Sequence, residues 1–498
     1  MRTIVILMDT FRRDNLKIYN EESKVLTPFL DEMAKDSLIF DQHWIGSAPC
    51  MPARRDMFTG RLNFVERSWG PIEPFDVTLQ KVLKDHGVFS HITTDHCHYF
   101  RLGGENYVQQ FNTWDYIRGQ EGDPYVSRID EPTLPESYYG RVRPQYEWNK
   151  TMWSKPEEYP SPKTFISGMN WIKDNKKHED FFLMVECFDP HEPFDVPQSY
   201  MDLYDKVEMD VEYYDIPHYG KVDTPQEGVD YLRTRYSALT TMNDEFFGDF
   251  IKNLKDEGIY DETMIIITTD HGFVFGEHDF VGKNVMHLYN ELAHLPLMVK
   301  FPNSQRAGER VNSLTQNIDI MPTVLDAFNL KIPEDVRGKS WMPLVDNKEV
   351  DRTEAIYGYH GLAMNVTDGK HTYFRAPNEK NWPLYEYGTI PTTIRQYLGE
   401  GNEDEIEMGH FIKRSKYPTF KIPAYKPQQI KDYEGGISLV SDTKLFDITK
   451  DYSQNHNLAN IEHEIENDMI DKLKKALKEH DAPEEQLERL NLFSKAGD

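Results

Sequence analysis

Four apolar segments of this chain are each soon followed by aspartate or histidine. Short apolar runs bounded by turn residues are typical of buried strands, and here they span residues 4–8, 91–94, 181–187 and 264–269. Stretches with helical patterning separate them, which predicts an α/β fold whose parallel sheet is covered on both faces. Ligands bind such sheets at the carboxyl ends of the strands. We therefore expect one site to collect the polar residues that follow the runs: Asp9, His96, His191, Asp270 and His271.

The sequence also predicts helices and a division into two parts. Helices are expected over 27–37, with Thr27 as N-cap, and over 78–86 and 235–257. Near residue 350 the long apolar runs end and a polar and charged stretch begins. We predict a large α/β domain over 1–350 and a C-terminal α+β subdomain over 351–498, with a smaller antiparallel sheet and a helix at 462–481.

Charge and cysteine content narrow the class of protein. The formal net charge of −28 argues against binding to nucleic acid or to anionic membrane surfaces. An anionic substrate would therefore need local positive charge from a metal ion and a few basic side chains. The three cysteines do not suggest a disulfide framework. The first apolar run is too short for a signal-peptide core, and no segment approaches a membrane span, so we expect a cytoplasmic protein.

One cysteine lies in a pattern that suggests chemistry. Cys50-x-Pro52-x-Arg54, followed by Thr59-Gly60-Arg61, reads as the start of a helix, because proline is favoured in the first helical turn. Cys50 would lie at the positive end of that helix with Arg54 about one turn away. That arrangement suits a nucleophile for an anionic ester. From the pattern alone, a buried cysteine beside a helix start is an equally good interpretation.

Several motifs in order give the chain a family resemblance. Besides the Cys50 pattern they include Met8-Asp9, His191-Glu192-Pro193, Thr269-Asp270-His271-Gly272, Gly282-Lys283 and Asp319-Ile320-Met321-Pro322-Thr323. With them the chain resembles type I, formylglycine-dependent sulfatases of the alkaline-phosphatase-like superfamily. The resemblance implies a mostly parallel sheet sandwiched by helices, with a smaller C-terminal antiparallel sheet and a helix.

The resemblance also implies a mechanism and its cofactors. Cys50 would be oxidised to formylglycine by a formylglycine-generating enzyme or an anaerobic sulfatase-maturating enzyme. One hydroxyl of the aldehyde hydrate would attack sulfur, and the other would then expel sulfate. A divalent metal, Ca²⁺ first and Mn²⁺ or Mg²⁺ as alternatives, would be held by Asp9, modified Cys50, Asp270 and His271. The expected substrate is a small-molecule or glycan sulfate ester, and a homo-oligomer is compatible with the C-terminal region.

Four further residues receive roles from the resemblance. Arg54 would hold the hydroxyl of the nucleophile, and Lys283 would contact the sulfate. His191 would protonate the leaving oxygen. His96 falls where the family has a histidine.

Two departures from the family pattern leave the reaction open. The family usually has two adjacent aspartates at the first strand end, where this chain has Asp9-Thr10. A lysine that grips the sulfate is replaced by Thr94. Both departures resemble choline sulfatases and phosphonate monoester hydrolases, and the phosphonate hydrolases also favour alanine before the arginine, as at Ala53. Hydrolysis of a phosphonate monoester or phosphodiester is therefore the alternative function.

Two other segments are candidates for binding. His96, Cys97 and His98 are residue types that bind zinc, but their spacing does not favour a zinc site. The glycine-rich loop 118–124 either shapes a substrate pocket or forms an ordinary surface turn.

Overall fold

A computed structural model describes residues 1–134, 139–141, 143–209, 215–399, 401, 403–424 and 442–493. Its centre is an eight-stranded sheet, whose strands we number in chain order. They are β1 (Arg2–Met8), β2 (Leu38–Phe40), β3 (Phe89–Thr94), β4 (Thr113–Tyr116), β5 (Phe181–Cys187), β6 (Thr263–Thr268), β7 (Leu297–Lys300) and β8 (Arg310–Val311). Their spatial order is β8-β2-β7-β6-β1-β5-β3-β4.

The middle of this sheet is parallel, as expected. Strand β1 pairs in parallel with β5 and β6, and β3 pairs in parallel with β5 and β4. Strand β7 is antiparallel to both β6 and β2. Every residue of β1, β5 and β6 is buried. Buried parallel strands of this kind deliver the residues that follow them to one edge of the sheet.

Helices cover both faces of the sheet. Alternate residues of β1 point to opposite sides, so Ile4 and Ile6 belong to one hydrophobic cluster while Val5 and Leu7 belong to another. The described helices of four or more residues in α-conformation are Pro28–Lys35, Cys50–Thr59, Leu79–Asp85, Pro144–Asn149, Pro160–Asn175, Gln198–Met201, Gln226–Asp256, Asn290–Ala293, Ile320–Ala327, His463–Glu479 and Glu485–Arg489.

One predicted helix start is wrong, and one predicted cap lacks its hydrogen bond. The helix predicted over 235–257 begins at Gln226, nine residues earlier than expected. Thr27 precedes the helix Pro28–Lys35, but its side chain accepts no capping hydrogen bond. The carboxylate of Asp244 accepts hydrogen bonds from the N–H groups of Phe29 and Leu30 instead, at 3.0 and 2.8 Å. A tertiary contact has taken the role that the local pattern assigned to Thr27.

The second largest sheet has five strands and lies mostly in the C-terminal part. Ala355–Tyr359, Met364–Thr367, His371–Arg375 and Lys444–Asp447 pair antiparallel in succession. The fifth strand, Ser47–Ala48, comes from the N-terminal part and pairs in parallel with Ala355–Tyr359. Smaller sheets are formed by Tyr385–Gly388 with Thr419–Pro423 and Glu407–Gly409, by Val274–Phe275 with Phe280–Gly282 and Gly220–Lys221, and by His43–Trp44 with Thr315–Gln316.

The antiparallel C-terminal sheet and the helix His463–Glu479 agree with the sequence prediction. The boundary at residue 350 stays a prediction. Among the described residues, no helix combines the length and the apolar character needed to cross a lipid bilayer.

Candidate active site

Four of the expected residues converge at the carboxyl edge of the central sheet. Asp9 directly follows β1, and Asp270 and His271 follow β6, while Cys50 opens a neighbouring helix. One ligand atom from each of the four lies within 4.8 Å of the ligand atoms of the other three, and all four residues are buried. Two carboxylate oxygens, an imidazole nitrogen and one further atom at residue 50 suit a divalent cation.

Cys50 is the first residue of the helix Cys50–Thr59. Its Sγ lies 3.2 Å from Nε2 of His271. Burial, followed by the negative charge of Asp9, raises the pKa of the Cys50 thiol well above its usual range. As an unmodified thiol it would therefore be a weak nucleophile, because the thiolate is the reactive form.

The imidazole of His271 is fixed by the backbone. Its Nδ1 lies 2.9 Å from the carbonyl oxygen of Gly272, which leaves Nε2 facing Cys50 and the carboxylates. Nε2 is 3.4 Å from Oδ2 of Asp270 and 4.0 Å from Oδ1 of Asp9. Burial lowers the pKa of His271, so the ring is neutral and its Nε2 can act as a metal ligand.

Arg54 binds the carboxylates of the site. Its Nη2 donates to Asp9 at 2.7 Å, its Nη1 donates to Asp270, and its Nε donates to Glu186 at 2.7 Å. The only contact of Arg54 with Cys50 among the described hydrogen bonds goes to the carbonyl oxygen, at 3.1 Å. Burial disfavours the Asp9 carboxylate, but Arg54 and the nearby histidines outweigh it and hold the pKa of Asp9 well below its usual range.

Glu186 is a buried residue of the site that the sequence analysis missed. It lies within β5, and its carboxylate accepts hydrogen bonds from Arg54, from Tyr99 at 3.1 Å and from Thr94 at 2.9 Å. Thr94, where the sequence resemblance leads us to expect a lysine, thus holds Glu186. A glutamate inside the apolar run 181–187 was the available signal, because a buried charge needs a partner.

Lys283 and His191 lie on a second side of the site. The Nζ of Lys283 donates to Oγ1 of Thr10 at 3.1 Å and lies 3.4 Å from Oε2 of Glu192. Burial opposes the charged form, but Glu192 and further negative groups raise the pKa of Lys283. The Nδ1 of His191 lies 2.5 Å from the carbonyl oxygen of Glu192, and its ring packs against Phe188 with centroids 4.0 Å apart.

His96 also joins the site, through Asp9. Its Nε2 lies 3.4 Å from Oδ2 of Asp9, so this nitrogen faces the site, although the ring also packs against that of His98. Cys97 and His98 form a second buried group with Glu121. The three-residue zinc candidate of the sequence analysis is therefore split between two groups, and loop 118–124 contributes Glu121 to the second.

A family model described as Sulfatase matches residues 2–330. This chain belongs to the sulfatase family. A second family model, N-sulphoglucosamine sulphohydrolase, C-terminal, matches residues 276–419 of the sulfatase. The sulfatase is a sulfuric ester hydrolase by this membership, and its sheet agrees with the alkaline-phosphatase-like fold that the sequence resemblance implied.

Comparison with individual proteins gives a relative and two structures. The sulfatase is 27% identical over 420 residues to the multifunctional alkaline phosphatase superfamily protein PehA of Trinickia caryophylli, covering 72% of this chain and 79% of PehA. Its fold is similar to that of BT4656, solved in complex with its substrate D-glucosamine-2-N,6-O-disulfate (TM-score 0.65, 15% identity, 96% and 98% of the chains). The fold of the sulfatase is also similar to that of the phosphonate monoester hydrolase of Agrobacterium radiobacter (TM-score 0.67, 18% identity, 96% of each chain).

Proposed function

We propose that this sulfatase cleaves the S–O bond of a sulfate ester with a formylglycine formed from Cys50. The convergence of Asp9, Cys50, Asp270 and His271 within 4.8 Å carries the proposal. Formylglycine supplies, as its hydrate, a hydroxyl nucleophile and a second hydroxyl that releases the sulfate. A divalent metal, with Ca²⁺ preferred over Mn²⁺ and Mg²⁺, lowers the pKa of the nucleophile and neutralises substrate charge when bound.

The residues around this cluster hold its carboxylates and supply positive charge for the substrate. Arg54 neutralises and orients the carboxylates of Asp9 and Asp270, and Glu186 fixes its far side. Lys283 brings a buried positive charge to the same side as Thr10, where it would contact the sulfate. These fixed charges favour an anionic ester in a strongly acidic protein, because preorganised groups need no reorganisation during the reaction.

His191 would protonate the leaving oxygen. The Nδ1–H of His191 donates to the carbonyl oxygen of Glu192 and orients the ring, so the protonated ring gives up its Nε2 proton to the leaving oxygen. His96, 3.4 Å from Asp9, would hold that carboxylate in place. We thus assign His191 to proton transfer and His96 to positioning.

The substrate is proposed to be a sulfated sugar or another small sulfate ester. The named substrate of BT4656, a sulfated glucosamine, supports this class. A formylglycine-generating or anaerobic maturating enzyme would be the partner that modifies Cys50. Cytoplasmic location and homo-oligomer formation remain predictions.

Mass spectrometry of the peptide that contains Cys50 tests the mechanism. We expect conversion to formylglycine when the chain is coexpressed with a maturating enzyme, and sulfate release that rises in proportion to the converted fraction. Cys50→Ala, expressed in the same way, is the matched control and should release none. An active protein with a wholly unmodified Cys50 thiol would refute the mechanism.

A phosphonate monoesterase is the second candidate, favoured by one specific observation. Thr10 stands where the family has a second aspartate, and its Oγ1 contacts Asp9 and Lys283. A neutral residue at this position is a feature that the chain shares with the phosphonate monoester hydrolases that its sequence resembles. Matched nitrophenyl sulfate and nitrophenyl phenylphosphonate separate the two candidates. A kcat/KM for the phosphonate far above that for the sulfate would reverse the ranking.

A further inference from the structure

A pocket with an excess of positive charge lies at the same edge of the central sheet. The cavity has a volume of about 390 Å³, and its lining residues in the described part of the chain are Arg101, Leu102, Glu121, Arg143, Ile394 and Arg395. Three guanidinium groups and one carboxylate line this cationic pocket, in a chain of net charge −28. Such local charge attracts an anion that most of the surface repels.

The cationic pocket is connected to the candidate active site by two histidines. Nε2 of His98 lies 3.0 Å from Oε2 of Glu121, and the ring of His98 packs against that of His96 with centroids 4.9 Å apart. His96 in turn lies 3.4 Å from Asp9. Arg101 follows β3 and Glu121 follows β4, at the carboxyl ends of parallel strands where ligands bind.

Glu121 pairs closely with only one of the two arginines near it. Nη2 of Arg143 lies 2.9 Å from Oε1 of Glu121, whereas Nη2 of Arg101 is 3.7 Å from Oε2. Arg395 stacks over the ring of Trp69, with its guanidinium carbon 3.9 Å from the centroid. The side chains of Arg101 and Arg143 are 33% and 39% exposed, so both can reach a ligand from solvent. Guanidinium groups match the geometry of sulfate and carboxylate.

Two lining residues have backbone conformations that are costly for their type. Ile394 has φ of +59° and Glu121 has φ of +45°, both in the left-handed region. A β-branched residue rarely adopts this conformation. The N–H of Ile394 donates to Oγ1 of Thr392 at 3.0 Å, which helps to hold the turn that presents Arg395. Strain of this kind is concentrated at ligand-binding sites.

We propose that the cationic pocket binds a second anionic group, a sulfate or a carboxylate, of the substrate whose ester sulfate is cleaved at Cys50. The inference rests on the proposed function, which specifies only the ester. It narrows the substrate class to sulfate esters that carry another acidic group. A metal ion is disfavoured at Cys97, His98 and Glu121, because Nη2 of Arg101 lies 4.0 Å from Sγ of Cys97 and Arg143 pairs with Glu121.

Paired substrates test the proposal. N-sulfoglucosamine 6-sulfate and a uronic-acid-linked glucosamine 6-sulfate each add one anionic group to N-acetylglucosamine 6-sulfate, as sulfate or as carboxylate. We expect wild-type kcat/KM to favour at least one of the two dianions by about tenfold or more, as for a charge-assisted contact. Arg101→Gln and Arg395→Gln should each lower that preference by about tenfold, and Arg395→Lys should lower it less.

Arg128→Gln is the matched control, because Arg128 is exposed and does not line the pocket. It should leave the preference for the dianion at the wild-type value. An unchanged preference in both pocket variants, or no preference in the wild type for either dianion, would overturn the proposal.

Calorimetric binding to Cys50→Ala, with calcium present, separates this proposal from the mechanism. This variant should bind the favoured dianion more tightly than the monoanion, and adding Arg395→Gln should remove the difference. If this binding difference is found while the fully modified wild type releases no sulfate, the proposed function is wrong but the proposal that the pocket binds an anion is supported. Equal affinities for monoanion and dianions in Cys50→Ala would refute the pocket.

Discussion

Thr10 shows how one residue can organise the candidate site. Its Oγ1 donates to Asp9 at 2.7 Å and accepts from Lys283 at 3.1 Å, while its N–H donates to Asp270 at 3.0 Å. Its φ of +63° is unusual for a β-branched residue. The conformation turns the chain directly after β1, so that both the backbone and the side chain of Thr10 face the site. Thr10, which stands where the family resemblance leads us to expect a second aspartate, thus makes three hydrogen bonds within the site.

His191→Asn tests the proton donor. Because general acid catalysis matters most for a poor leaving group, we expect kcat on a sugar sulfate to fall by about 10²–10⁴-fold. The rate on 4-nitrophenyl sulfate should change far less, since nitrophenolate leaves without a proton. Steady-state rates on the two substrates provide the measurement, with Cys50→Ala as the variant that loses both. Equal losses on the two substrates in His191→Asn would contradict proton donation.

The acid role also predicts a pH profile. Burial lowers the pKa of His191 below its usual value. The donor must be protonated, so the rate on a sugar sulfate should fall as the pH rises through this lowered pKa, below about 6.5. This basic limb should be absent with 4-nitrophenyl sulfate. A sugar sulfate profile that is flat from pH 5 to 8 would argue against His191.

Among single residues, the sequence predicts the site residues that directly follow strands. It does not predict those that reach the site only through tertiary packing. Asp9 and Asp270 follow apolar runs, so their meeting at one edge could be predicted. Glu186 lies inside such a run and reaches Arg54 only because β5 lies beside β1. The split of His96 from Cys97 could not be predicted either, because it depends on the short helical turn Cys97–Phe100.

Among the elements, the helix Cys50–Thr59 carries both Cys50 and Arg54, and it ends at a glycine. Gly60 has φ of +63°, and a Cβ there would lie 2.7 Å from Cγ1 of Val336. Its carbonyl oxygen accepts hydrogen bonds from the N–H groups of Arg337 and Gly338 at 2.9 and 3.0 Å. The end of this helix is therefore fixed by conformation, by packing and by hydrogen bonds.

We expect Gly60→Ala to destabilise the protein by more than conformation alone requires. Gly258 is a matched control, since its φ is +72° and nothing lies within 4 Å of an added Cβ. Gly258→Ala should cost about 1–2 kcal/mol from the left-handed backbone, and Gly60→Ala should cost about 1–3 kcal/mol more from overpacking. Urea unfolding of both variants measures the difference. Equal losses would show that the contact with Val336 relaxes freely.

Element prediction succeeded where the local signal was strong. The run 181–187 matches β5 residue for residue, whereas the long helix begins at Gln226 rather than at 235. Strand β7 shows a further limit: the apolar run 297–301 is also typical of a strand, but only its pairing with β6 reveals that it is antiparallel. Direction and partner depend on contacts distant in sequence.

For the whole molecule, buried histidines predict a loss of stability in acid. Burial lowers the pKa of His43 to about 3, and its ring lies between Thr315 and Asn317 at 3.0 and 3.1 Å. In the unfolded chain a histidine takes up a proton near pH 6.5. Between these values the unfolded state binds more protons, so the free energy of unfolding falls as the pH falls, by up to about 1.4 kcal/mol per unit for this residue.

Melting temperature measured against pH tests this. His43→Gln should give a shallower decline than the wild type between pH 6 and pH 4, whatever its stability at neutral pH. His410→Gln, at an exposed position, should keep the wild-type slope. An unchanged slope in His43→Gln would show that other groups control the acid sensitivity.

The pairing of Ser47–Ala48 with Ala355–Tyr359 has a consequence for how the chain can be divided. Gly358 is in register with Ser47 and Tyr359 with Ala48, two residues before Cys50. The strand Ala355–Tyr359 therefore helps to position the segment that leads into Cys50. A shortened chain, whether trimmed for crystallography or fused to another enzyme, therefore has to keep the five-stranded sheet that contains Ala355–Tyr359. If a trimmed chain loses turnover, displacement of Cys50 explains the loss before weaker substrate binding does.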